Sequence, residues 1–465
     1  MAGMIEDQGS FRDPSGRVFR AGDEIFRTVS SLAKDHYEYV KSTGVLNDLI
    51  KRSQVVDTAE VDATAFKNAP EDTFKVLKHE KIPFVSYPYE WSFPLLKDAA
   101  LLHLNIQIEA LNRGVSFSDA TAYNVQFKGI NPVFIDTLSM REYREGELWS
   151  GHKQFCEQFL NPLLLRSMFG IPHNSWFRGN LEGIETEKFA NLIPWWKNFS
   201  INVLTHITMQ ARMQRNAVGV SKDAMDKAQS KGLSKNAYIH ILHQLRDWIA
   251  KLQPKDTGST VWQDYEQTHT YNSEEEEAKR RFIGEFCDAV RPEMILDFGC
   301  NSGEYSEVAL SSGAKRSIGF DFDQGALERA YARAKAKGMD FLPLYLDAAN
   351  PSPSQGWNSE ERSALNARDK ADALIALAFE HHLTIGRNIP MDRMVDWLTS
   401  FASTGVIEFV QKSDPTVQQL LMLREDIFDD YNEENFVRCL QASNRIVKKE
   451  RVASTGRTLF WYERI

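Results

Sequence analysis

The fold of the chain is decided by the stretch MILDFGCNSGEYSEVAL, residues 294–310. Its first residues, Met294–Leu296, are apolar enough for a buried central strand, and a helical pattern follows the turn. Between the two, Asp297 ends the strand, and Gly299 and Gly303 predict a tight turn in which no side chain keeps a ligand from the backbone. The spacing D-x-G-x-x-x-G differs from the G-x-G-x-x-G of a dinucleotide pyrophosphate site. The stretch therefore predicts a strand, a ligand-binding turn and a helix in succession.

Acidic residues end the next two predicted strands. Asp321 ends SIGFDFD, about one strand-helix-strand unit after Asp297, and can accept hydrogen bonds from both ribose hydroxyls of a nucleoside. Asp347 ends FLPLYLD and is suited to the amino group of adenine. The neighbours expected to complete this nucleoside site are Cys300, Asn301, Phe322 and Ala348.

Strands and helices alternate from Met294 to the C-terminus. A fourth strand is expected in ADALIALAFEHHL, residues 371–383, a helix in residues 391–402 and a fifth strand in TGVIEFV, residues 404–410. The tail, residues 445–465, has the pattern of a β-hairpin. This alternation predicts an α/β domain with a parallel sheet covered by helices on both faces.

The order of elements, the glycine turn and the hairpin together resemble a class I (Rossmann-fold) S-adenosylmethionine-dependent methyltransferase. The resemblance covers the chain from about residue 285 to the C-terminus. It implies a seven-stranded Rossmann-like sheet with S-adenosyl-L-methionine as the cofactor. An NAD-binding domain is the main alternative, but the loop spacing and the hairpin both favour the methyltransferase.

The resemblance also assigns residues to parts of the cofactor. It implies that the turn Asp297–Gly303 binds the cofactor, that Asp321 holds its ribose and that Asp347 lies at its adenine. The chain departs from the family at Asn301, where many members have a second glycine. The departure affects the expected conformation of the loop and leaves the assignment unchanged.

The cluster Glu380, His381 and His382 follows the fourth predicted strand and resembles the Glu-His pair of several small-molecule methyltransferases. A histidine titrates near neutral pH, so it can take a proton from the acceptor as the methyl group arrives. The alternative is that one histidine packs in the core and the other is solvated. A metal site normally needs three or four ligands, and this run is the only cluster of Glu and His residues that the sequence offers for one. No metal is therefore expected.

A polar insertion, residues 347–368, separates the third and fourth strands. Long loops at the carboxyl ends of strands often carry binding residues. The insertion residues expected to contact an aromatic or anionic acceptor are Trp357, Arg362 and Arg368. Upstream, Tyr265 and Tyr271 are candidates for an aromatic lid. A surface excursion of the insertion and ordinary packing of the aromatic residues are the alternatives.

The N-terminal part predicts a different domain. Its residues 115–137 contain Asp119, Asn124 and Asp136 in a spacing that resembles the catalytic loop and metal-binding strand of aminoglycoside- and sugar-kinase-like folds. In such enzymes one Asp orients the hydroxyl, while the Asn and the second Asp hold magnesium at the phosphates of ATP. The preceding KIPFVSYPYEW, residues 81–91, has the pattern of a short strand, and its part PFVSYPYEW, residues 83–91, would match the hinge between two lobes.

This kinase-like pattern is incomplete. No histidine or arginine directly precedes Asp119, Thr-Leu follows Asp136 where Phe-Gly is expected, and Arg27 stands where a lysine is expected. A degenerate kinase-like fold that binds substrate is therefore favoured over a working kinase. The ligands that the kinase-like resemblance implies are ATP and Mg²⁺. An unrelated α+β domain with a coincidental Asp-Asn-Asp pattern is the alternative.

Length and composition fix the remaining expectations. A chain of 465 residues is too long for one core, so we expect a kinase-like α+β domain in residues 1–150, a helical region in 151–255 and the methyltransferase domain in 256–465. The net charge of −9 disfavours a nucleic-acid partner. Four separated cysteines, no apolar leader and no apolar run of membrane-spanning length indicate a cytoplasmic protein without a membrane partner.

The whole-chain pattern of PYEW, DATAYNVQF, PVFIDT, GCNSGEYS, PSPSQGW and the Glu-His-His cluster also resembles a bacterial group that includes rhizobial host-specific nodulation proteins. The resemblances imply transfer of a methyl group from S-adenosyl-L-methionine to an oxygen or nitrogen of a small metabolite or glycan precursor. The alternatives are a bifunctional kinase-methyltransferase acting on a saccharide or alcohol, and a non-enzymatic scaffold with vestigial nucleotide sites.

Overall fold

The computed structural model describes residues 4–62, 66, 69–147, 149–196, 200–211, 234–255, 273–422, 424–452 and 456–465. The chain forms two compact units. The first comprises Met1–Asp256 together with Ser354–Arg362, and the second comprises Thr257–Pro353 together with Ser363–Ile465. The chain combines helices with parallel and antiparallel strands, which confirms the predicted α/β class.

The first unit begins with a five-stranded antiparallel sheet in the order β1-β2-β3-β5-β4. Its strands are β1 (Ile5–Glu6), β2 (Val18–Ala21), β3 (Glu24–Ser30), β4 (Thr58–Val61) and β5 (Thr73–His79). The helices that follow β3 are α1 (Lys34–Ser42) and α2 (Val45–Lys51). The adjacent residues Val76 and Leu77 belong to two different apolar clusters, because successive side chains of a strand point to opposite faces.

A long and largely buried helix, α3 (Phe93–Asn112), follows the sheet. It leads into two antiparallel ribbons. Their strands are β6 (Val115–Phe117) with β9 (Met140–Glu142), and β7 (Val125–Lys128) with β8 (Asn131–Phe134). The loops between these strands carry the acidic residues of the predicted kinase-like motif.

The predicted strand in residues 81–91 is wrong, because this segment forms a loop with a 3₁₀ turn, Pro88–Glu90. Its prolines lack the N–H that a strand interior needs. The backbone of Ser86 is satisfied by the side chain of Gln126, which accepts from its N–H and donates to its carbonyl, both at 2.9 Å. A side-chain amide therefore takes the place of a neighbouring strand.

Residues 151–255 consist mainly of helices in their described parts. These helices are α4 (His152–Phe155), α5 (Asn161–Phe169), α6 (Asn174–Gly179), α7 (Thr186–Ala190), α8 (Ile201–Val203) and α9 (Lys235–Lys251). Two π-helical turns, Cys156–Leu160 and Leu204–Thr208, are inserted in this series. Gln107 on α3 donates to the hydroxyl of Tyr238 on α9 at 3.1 Å, which connects α9 to the buried helix.

The segment 354–362 belongs to the first unit although it comes from the second half of the sequence. Gln355 and Arg362 pair through backbone hydrogen bonds of 2.9 and 3.1 Å. The Gln355 side chain donates to the carbonyl of Arg178 at 2.8 Å, and the Arg362 guanidinium lies 4.1 Å from the centre of the Tyr123 ring. The segment is therefore bound to the first unit by polar and cation–π contacts.

The second unit contains a seven-stranded sheet in the order β12-β11-β10-β13-β14-β16-β15. Its strands are β10 (Met294–Phe298), β11 (Arg316–Asp321), β12 (Phe341–Tyr345), β13 (Ala373–Ala376), β14 (Thr404–Val410), β15 (Asn444–Arg451) and β16 (Arg457–Arg464). β10 to β14 are mutually parallel, whereas β16 is antiparallel to both of its neighbours. The predicted C-terminal hairpin is thus confirmed.

Seven described helices accompany this sheet. They are α10 (Ser273–Val290), α11 (Glu304–Ser311), α12 (Gln324–Lys337), α13 (Glu380–Arg387), α14 (Met391–Thr399), α15 (Pro415–Leu421) and α16 (Glu433–Gln441). Ile295, Ile375 and Val406 of the central strands share one buried cluster, as expected for parallel strands that are covered on both faces. Among the helices of the described ranges, none has the length and apolar character needed to cross a membrane.

The fourth strand is shorter than predicted. β13 ends at Ala376, and residues 380–382 open the helix α13. Ala378 has a φ of 47°, in the left-handed region, and its N–H donates to Oε2 of Glu408 at 2.8 Å. Because this N–H binds a side chain and not a neighbouring strand, the ladder stops here. The Glu-His-His cluster therefore lies on a helix.

Candidate functional site

The turn between β10 and α11 has a left-handed backbone at three residues. Gly299 and Gly303 each have a φ of 78°, and Asn301 has a φ of 44°. A Cβ atom on Gly303 would lie 2.4 Å from Cε1 of Phe341, so a side chain does not fit there. Asparagine enters the left-handed region more readily than most residues. Asn301 can therefore adopt this backbone conformation, which glycine adopts more readily.

The carboxylate of Asp321 is fixed beside this turn. Its Oδ2 accepts from the N–H of Asn301 and its Oδ1 from the N–H of Asp323, both at 2.9 Å. The backbone N–H of Phe322 also approaches this carboxylate. Burial raises the pKa of Asp321 to about 6, although the backbone N–H groups oppose this shift. At neutral pH the group is therefore a charged and preorganised acceptor.

A second acceptor in the turn lacks a donor among the residues that the structure describes. Oδ1 of Asn301 is buried and receives no hydrogen bond from any described residue. An unsatisfied buried polar atom costs about 1–3 kcal/mol. Such an atom in a strand-to-helix turn indicates a place where the N–H or O–H of a ligand fits.

The residues that follow β11 and β12 extend this site. β10, β11 and β12 are parallel neighbours, so their carboxyl ends share one edge of the sheet. At that edge Phe322 is 47% exposed, and Asp347 and Ala348 are half-buried. Oδ1 of Asp347 accepts from the N–H of Ala349 at 3.1 Å. The edge thus combines two acidic side chains with an exposed aromatic ring.

Two predicted cofactor residues lie beneath the turn. Asp297 is 2% exposed, and its Oδ2 accepts from the Ser306 hydroxyl at 2.6 Å. Burial raises the pKa of Asp297 to about 7. Cys300 is buried against Gly319, where an added Cβ would lie 2.8 Å from the Cys300 Sγ. Both side chains support the turn from within, and their direct contact with a ligand stays a prediction.

Glu380 and His381 are fully buried at the start of α13. Oε1 of Glu380 accepts from the N–H of Val410 at 2.7 Å and from the hydroxyl of Tyr431 at 2.9 Å. Burial raises the pKa of Glu380 to about 8 and lowers that of His381 well below its usual value. Within the described residues, neither ring nitrogen of His381 forms a hydrogen bond. Both side chains therefore have the surroundings of core residues.

His382 is more accessible than its two neighbours. It is half-buried, and its ring centroid lies 4.2 Å from that of His381. Burial lowers the pKa of His382 to about 4. Its ring is therefore neutral at neutral pH and carries a lone pair on one nitrogen. A catalytic role for any member of the cluster stays a prediction.

The structure brings the Asp-Asn-Asp residues of the first unit together. Nδ2 of Asn124 donates to Asp119 Oδ1 at 3.2 Å and to Asp136 Oδ2 at 3.1 Å. Arg27 donates to Asp136 Oδ1 at 2.6 Å and also pairs with Asp13. Burial, together with the charges of Asp136 and Asp13, raises the pKa of Asp119 to about 7. The spacing thus produces one acidic cluster, whose kinase-like function stays a prediction.

Comparison with known proteins identifies the family of the chain. No family model matches it. The nodulation protein NoeA of Rhizobium meliloti (strain 1021) is 45% identical over 456 residues, which span 98% of this chain and 95% of that protein. The chain belongs to the NoeA family.

Two further similarities of this NoeA-family chain cover parts of it. The ribosomal protein L11 methyltransferase of Hamiltonella defensa subsp. Acyrthosiphon pisum (strain 5AT) is 40% identical over 63 residues, 13% of this chain and 21% of that protein. The structure of the N-methyltransferase NodS from Bradyrhizobium japonicum WM9, in complex with S-adenosyl-L-homocysteine, has a TM-score of 0.32 and 14% identity. That match covers 44% of this chain and 97% of NodS.

The residues predicted to contact an acceptor lie in different parts of the NoeA-family chain. Trp357, which is 69% exposed, and Arg362 belong to the first unit, whereas Arg368 belongs to the second. Nε of Arg368 donates to a nearby backbone carbonyl at 3.3 Å. Tyr265 and Tyr271 lie outside the described residues. Contact of these side chains with an acceptor stays a prediction.

The NoeA-family chain also contains buried ion pairs that the sequence did not reveal. Lys279 pairs with Glu408, and Nε of Arg457 lies 2.8 Å from Oδ2 of Asp414. Because the partners come from distant segments, local patterns do not indicate the pairing. A signal was nevertheless present, since Glu408 interrupts the otherwise apolar run TGVIEFV.

Proposed function

We propose that this NoeA-family chain is a methyltransferase that binds S-adenosyl-L-methionine at the carboxyl edge of β10, β11 and β12. The observation that carries the proposal is the Asp321 carboxylate, which the N–H groups of Asn301 and Asp323 fix beside the glycine turn. The local likeness to a ribosomal protein L11 methyltransferase supports the same class of reaction. When bound, the cofactor supplies an electrophilic methyl group on its sulfonium.

The residues at this edge fit the parts of that cofactor. The Asp321 carboxylate is a charged acceptor, which is what the two ribose hydroxyls require. The exposed ring of Phe322 suits the face of adenine, and the Asp347 carboxylate suits its amino group. The buried Oδ1 of Asn301 suits the ammonium group of the methionine part, since it accepts no hydrogen bond from the described residues.

The proposed acceptor is a small metabolite or glycan precursor that offers an oxygen or a nitrogen. The net charge of −9 disfavours the phosphate backbone of a nucleic acid as acceptor. His382 is the proposed proton acceptor, because it is the accessible member of the Glu-His-His cluster. The buried Glu380 and His381 are proposed to position it. Alignment of the acceptor with the methyl group supplies the rest of the rate enhancement.

We also propose a cytoplasmic location. All four cysteines are free and buried. A protein of an oxidising compartment more often joins its cysteines in disulfides. Free thiols in both units are therefore best suited to a reducing environment.

Calorimetry with S-adenosyl-L-homocysteine tests the cofactor site. We expect the wild type to bind and Asp321→Ala to bind about 100-fold more weakly, because two charge-assisted hydrogen bonds are lost. Asp288→Ala, which removes an exposed carboxylate from α10, is the matched control and should bind like the wild type. A wild type that does not bind, or an Asp321→Ala variant of unchanged affinity, refutes the proposal.

A second candidate function is binding of ATP and Mg²⁺ by the first unit, as part of a bifunctional kinase-methyltransferase. It is favoured by Asn124, which contacts both Asp119 and Asp136. It is opposed by Arg27, which occupies an oxygen of Asp136 that a magnesium ion would need. Titration of ATP with Mg²⁺ into the wild type and into Asp136→Ala tests this function. ATP binding that the variant loses supports it. If the wild type binds neither ATP nor S-adenosyl-L-homocysteine, the scaffold alternative remains.

A further inference from the structure

The helical part of the first unit contains three potential metal ligands that meet at one point. Nε2 of His152 lies 3.0 Å from Nδ1 of His206 and 3.6 Å from Sγ of Cys156. All three donor atoms lie within 4.8 Å of one another. His152 and Cys156 are four residues apart, so they project from the same side of their helix. His206 approaches them from a separate helical segment.

These separations are close to those around a tetrahedral zinc ion. With Zn–S of about 2.3 Å and Zn–N of about 2.0–2.1 Å, tetrahedral angles give S···N distances of about 3.6 Å and N···N distances of about 3.3 Å. The Cys156–His152 distance of 3.6 Å equals the first value, and the His152–His206 distance of 3.0 Å is slightly shorter than the second. A small outward movement of one imidazole accommodates the ion.

The orientation of His152 is that of a metal ligand. Its Nδ1 lies 2.9 Å from Oε1 of Gln210. An amide oxygen only accepts hydrogen bonds, so Nδ1 carries the proton and Nε2 presents its lone pair to the cluster. Metal-binding histidines commonly donate their other N–H to an oxygen in this way.

Without a metal, one hydrogen bond satisfies the two histidines, because Nδ1–H of His206 then donates to Nε2 of His152 at 3.0 Å. The Cys156 thiol lies 3.6 Å from the same nitrogen, whose single lone pair is then already in use. A cation bound in the cluster would instead accept a lone pair from all three donor atoms.

The surroundings of the cluster are apolar and locally irregular. Cys156 is fully buried and His206 is 2% exposed. The ring of Trp149 lies 5.5 Å from that of His152, and the ring of Trp248 stacks on His206 at 6.3 Å. Both Cys156 and His206 lie in π-helical turns, which occur often at functional sites.

We propose that His152, Cys156 and His206 form a zinc site, with Gln210 as the hydrogen-bond partner that orients His152. One thiolate and two imidazoles are ligands that zinc prefers. Water completes the tetrahedron at the fourth position. The ion connects the two π-helical turns, and the site is independent of the proposed cofactor site in the second unit.

Metal analysis of the untagged full-length protein, grown with zinc and freed of loosely bound ions, tests the site. We expect about one zinc per chain in the wild type, and loss of it in Cys156→Ala and in His206→Ala. His240→Ala, which removes an exposed imidazole from α9 of the same unit, is the matched control and should keep its zinc. Zinc retained by both ligand variants, or absent from the wild type, overturns the proposal.

Cobalt substitution gives a second test that does not depend on the variants folding. Co²⁺ added to the metal-free wild type should give the absorption of a tetrahedral site together with a thiolate-to-cobalt charge-transfer band. A spectrum without that band overturns the assignment of Cys156. Gln210→Ala should keep the band and bind the metal about 10- to 100-fold more weakly, as expected for the loss of an orienting partner. Unchanged affinity in this variant would contradict the role given to Gln210.

Discussion

Nζ of Lys279 lies 2.7 Å from Oε1 of Glu408, and both side chains are almost completely buried, at 3% and 0% exposed. The other oxygen of Glu408 accepts from the N–H of Ala378, the residue with left-handed backbone at the end of β13. The ion pair therefore holds the sheet edge that leads into the Glu-His-His cluster. A buried charge is stable only while it is compensated, which makes this contact sensitive to substitution.

Lys279→Met should lower the free energy of unfolding of the second unit by up to about 3–5 kcal/mol, because the buried Glu408 carboxylate loses its nearer cation and keeps only Arg457, whose Nη1 lies 3.8 Å from Oε1. Lys315→Met removes a lysine from an exposed pair with Glu293 and should change stability little. Urea denaturation measures both. Restoration of stability in the double variant Lys279→Met/Glu408→Gln would confirm the cause, whereas equal effects of the two lysine substitutions would contradict it.

Gly303→Ala should destabilise the turn between β10 and α11. The added Cβ would lie 2.4 Å from the Phe341 ring, in addition to the strain of a φ of 78°. Gly338→Ala is the matched control, since Gly338 also has a positive φ, 61°, but no atom within 4 Å of the added Cβ. We expect a cost of about 1 kcal/mol for the control and a larger loss of thermal stability for Gly303→Ala. Equal melting temperatures would show that the turn relaxes around the methyl group.

Affinity for S-adenosyl-L-homocysteine should fall as the pH decreases through about 6. The ribose hydroxyls need an ionised acceptor, and burial raises the pKa of Asp321 to about 6. Protonation below that pH should weaken binding about tenfold per pH unit. Calorimetry from pH 8 to pH 5 measures the effect, and Asp321→Asn should bind weakly with a flatter profile. A wild-type affinity that does not change over this range would exclude Asp321 as the titrating group.

His103→Phe should stabilise the first unit in acid. His103 is fully buried among aromatic rings, and neither ring nitrogen has a hydrogen-bonding partner in the described parts of the chain. Burial lowers its pKa to about 3, whereas an unfolded histidine titrates near 6.5. Between these values only the unfolded chain binds the proton, so stability falls as the pH falls below 6.5.

His103 should therefore lower the free energy of unfolding of the wild type by about 2 kcal/mol at pH 5 relative to pH 8. Phenylalanine does not titrate. The free energy of unfolding of His103→Phe relative to that of the wild type should therefore increase by about 2 kcal/mol when the pH is lowered from 8 to 5. Denaturation at the two pH values measures the shift, and the exposed His240→Phe is the control. A difference that is independent of pH would mean that His103 binds its proton in the folded chain.

The turn between β10 and α11 could be predicted because its signals are local. An apolar strand, two glycines and an acidic residue after the next strand are all encoded within short runs, and the structure brings Asp321 to the predicted turn. The end of β13 could not be predicted in this way. It depends on a hydrogen bond from Ala378 to Glu408, 30 positions later, that no pattern around the strand contains.

Tertiary contacts also explain the other differences. The loop at residues 81–91 depends on the side chain of Gln126, 40 positions from Ser86. The proposed zinc ligands His152 and His206 are 54 positions apart and meet through irregular helical turns, so their spacing matches no metal-binding motif. Sequence periodicity indicates which elements form, but not which side chains from distant elements meet.

The placement of Ser354–Arg362 in the first unit has a consequence for biosynthesis. A ribosome releases the chain from its N-terminus, and domains usually fold in that order. The first unit, however, stays incomplete until residue 362 has left the ribosome. Until then the Tyr123 ring and the carbonyl of Arg178 lack the contacts that Arg362 and Gln355 provide. The unit that is translated first is therefore completed only after much of the second has been synthesised.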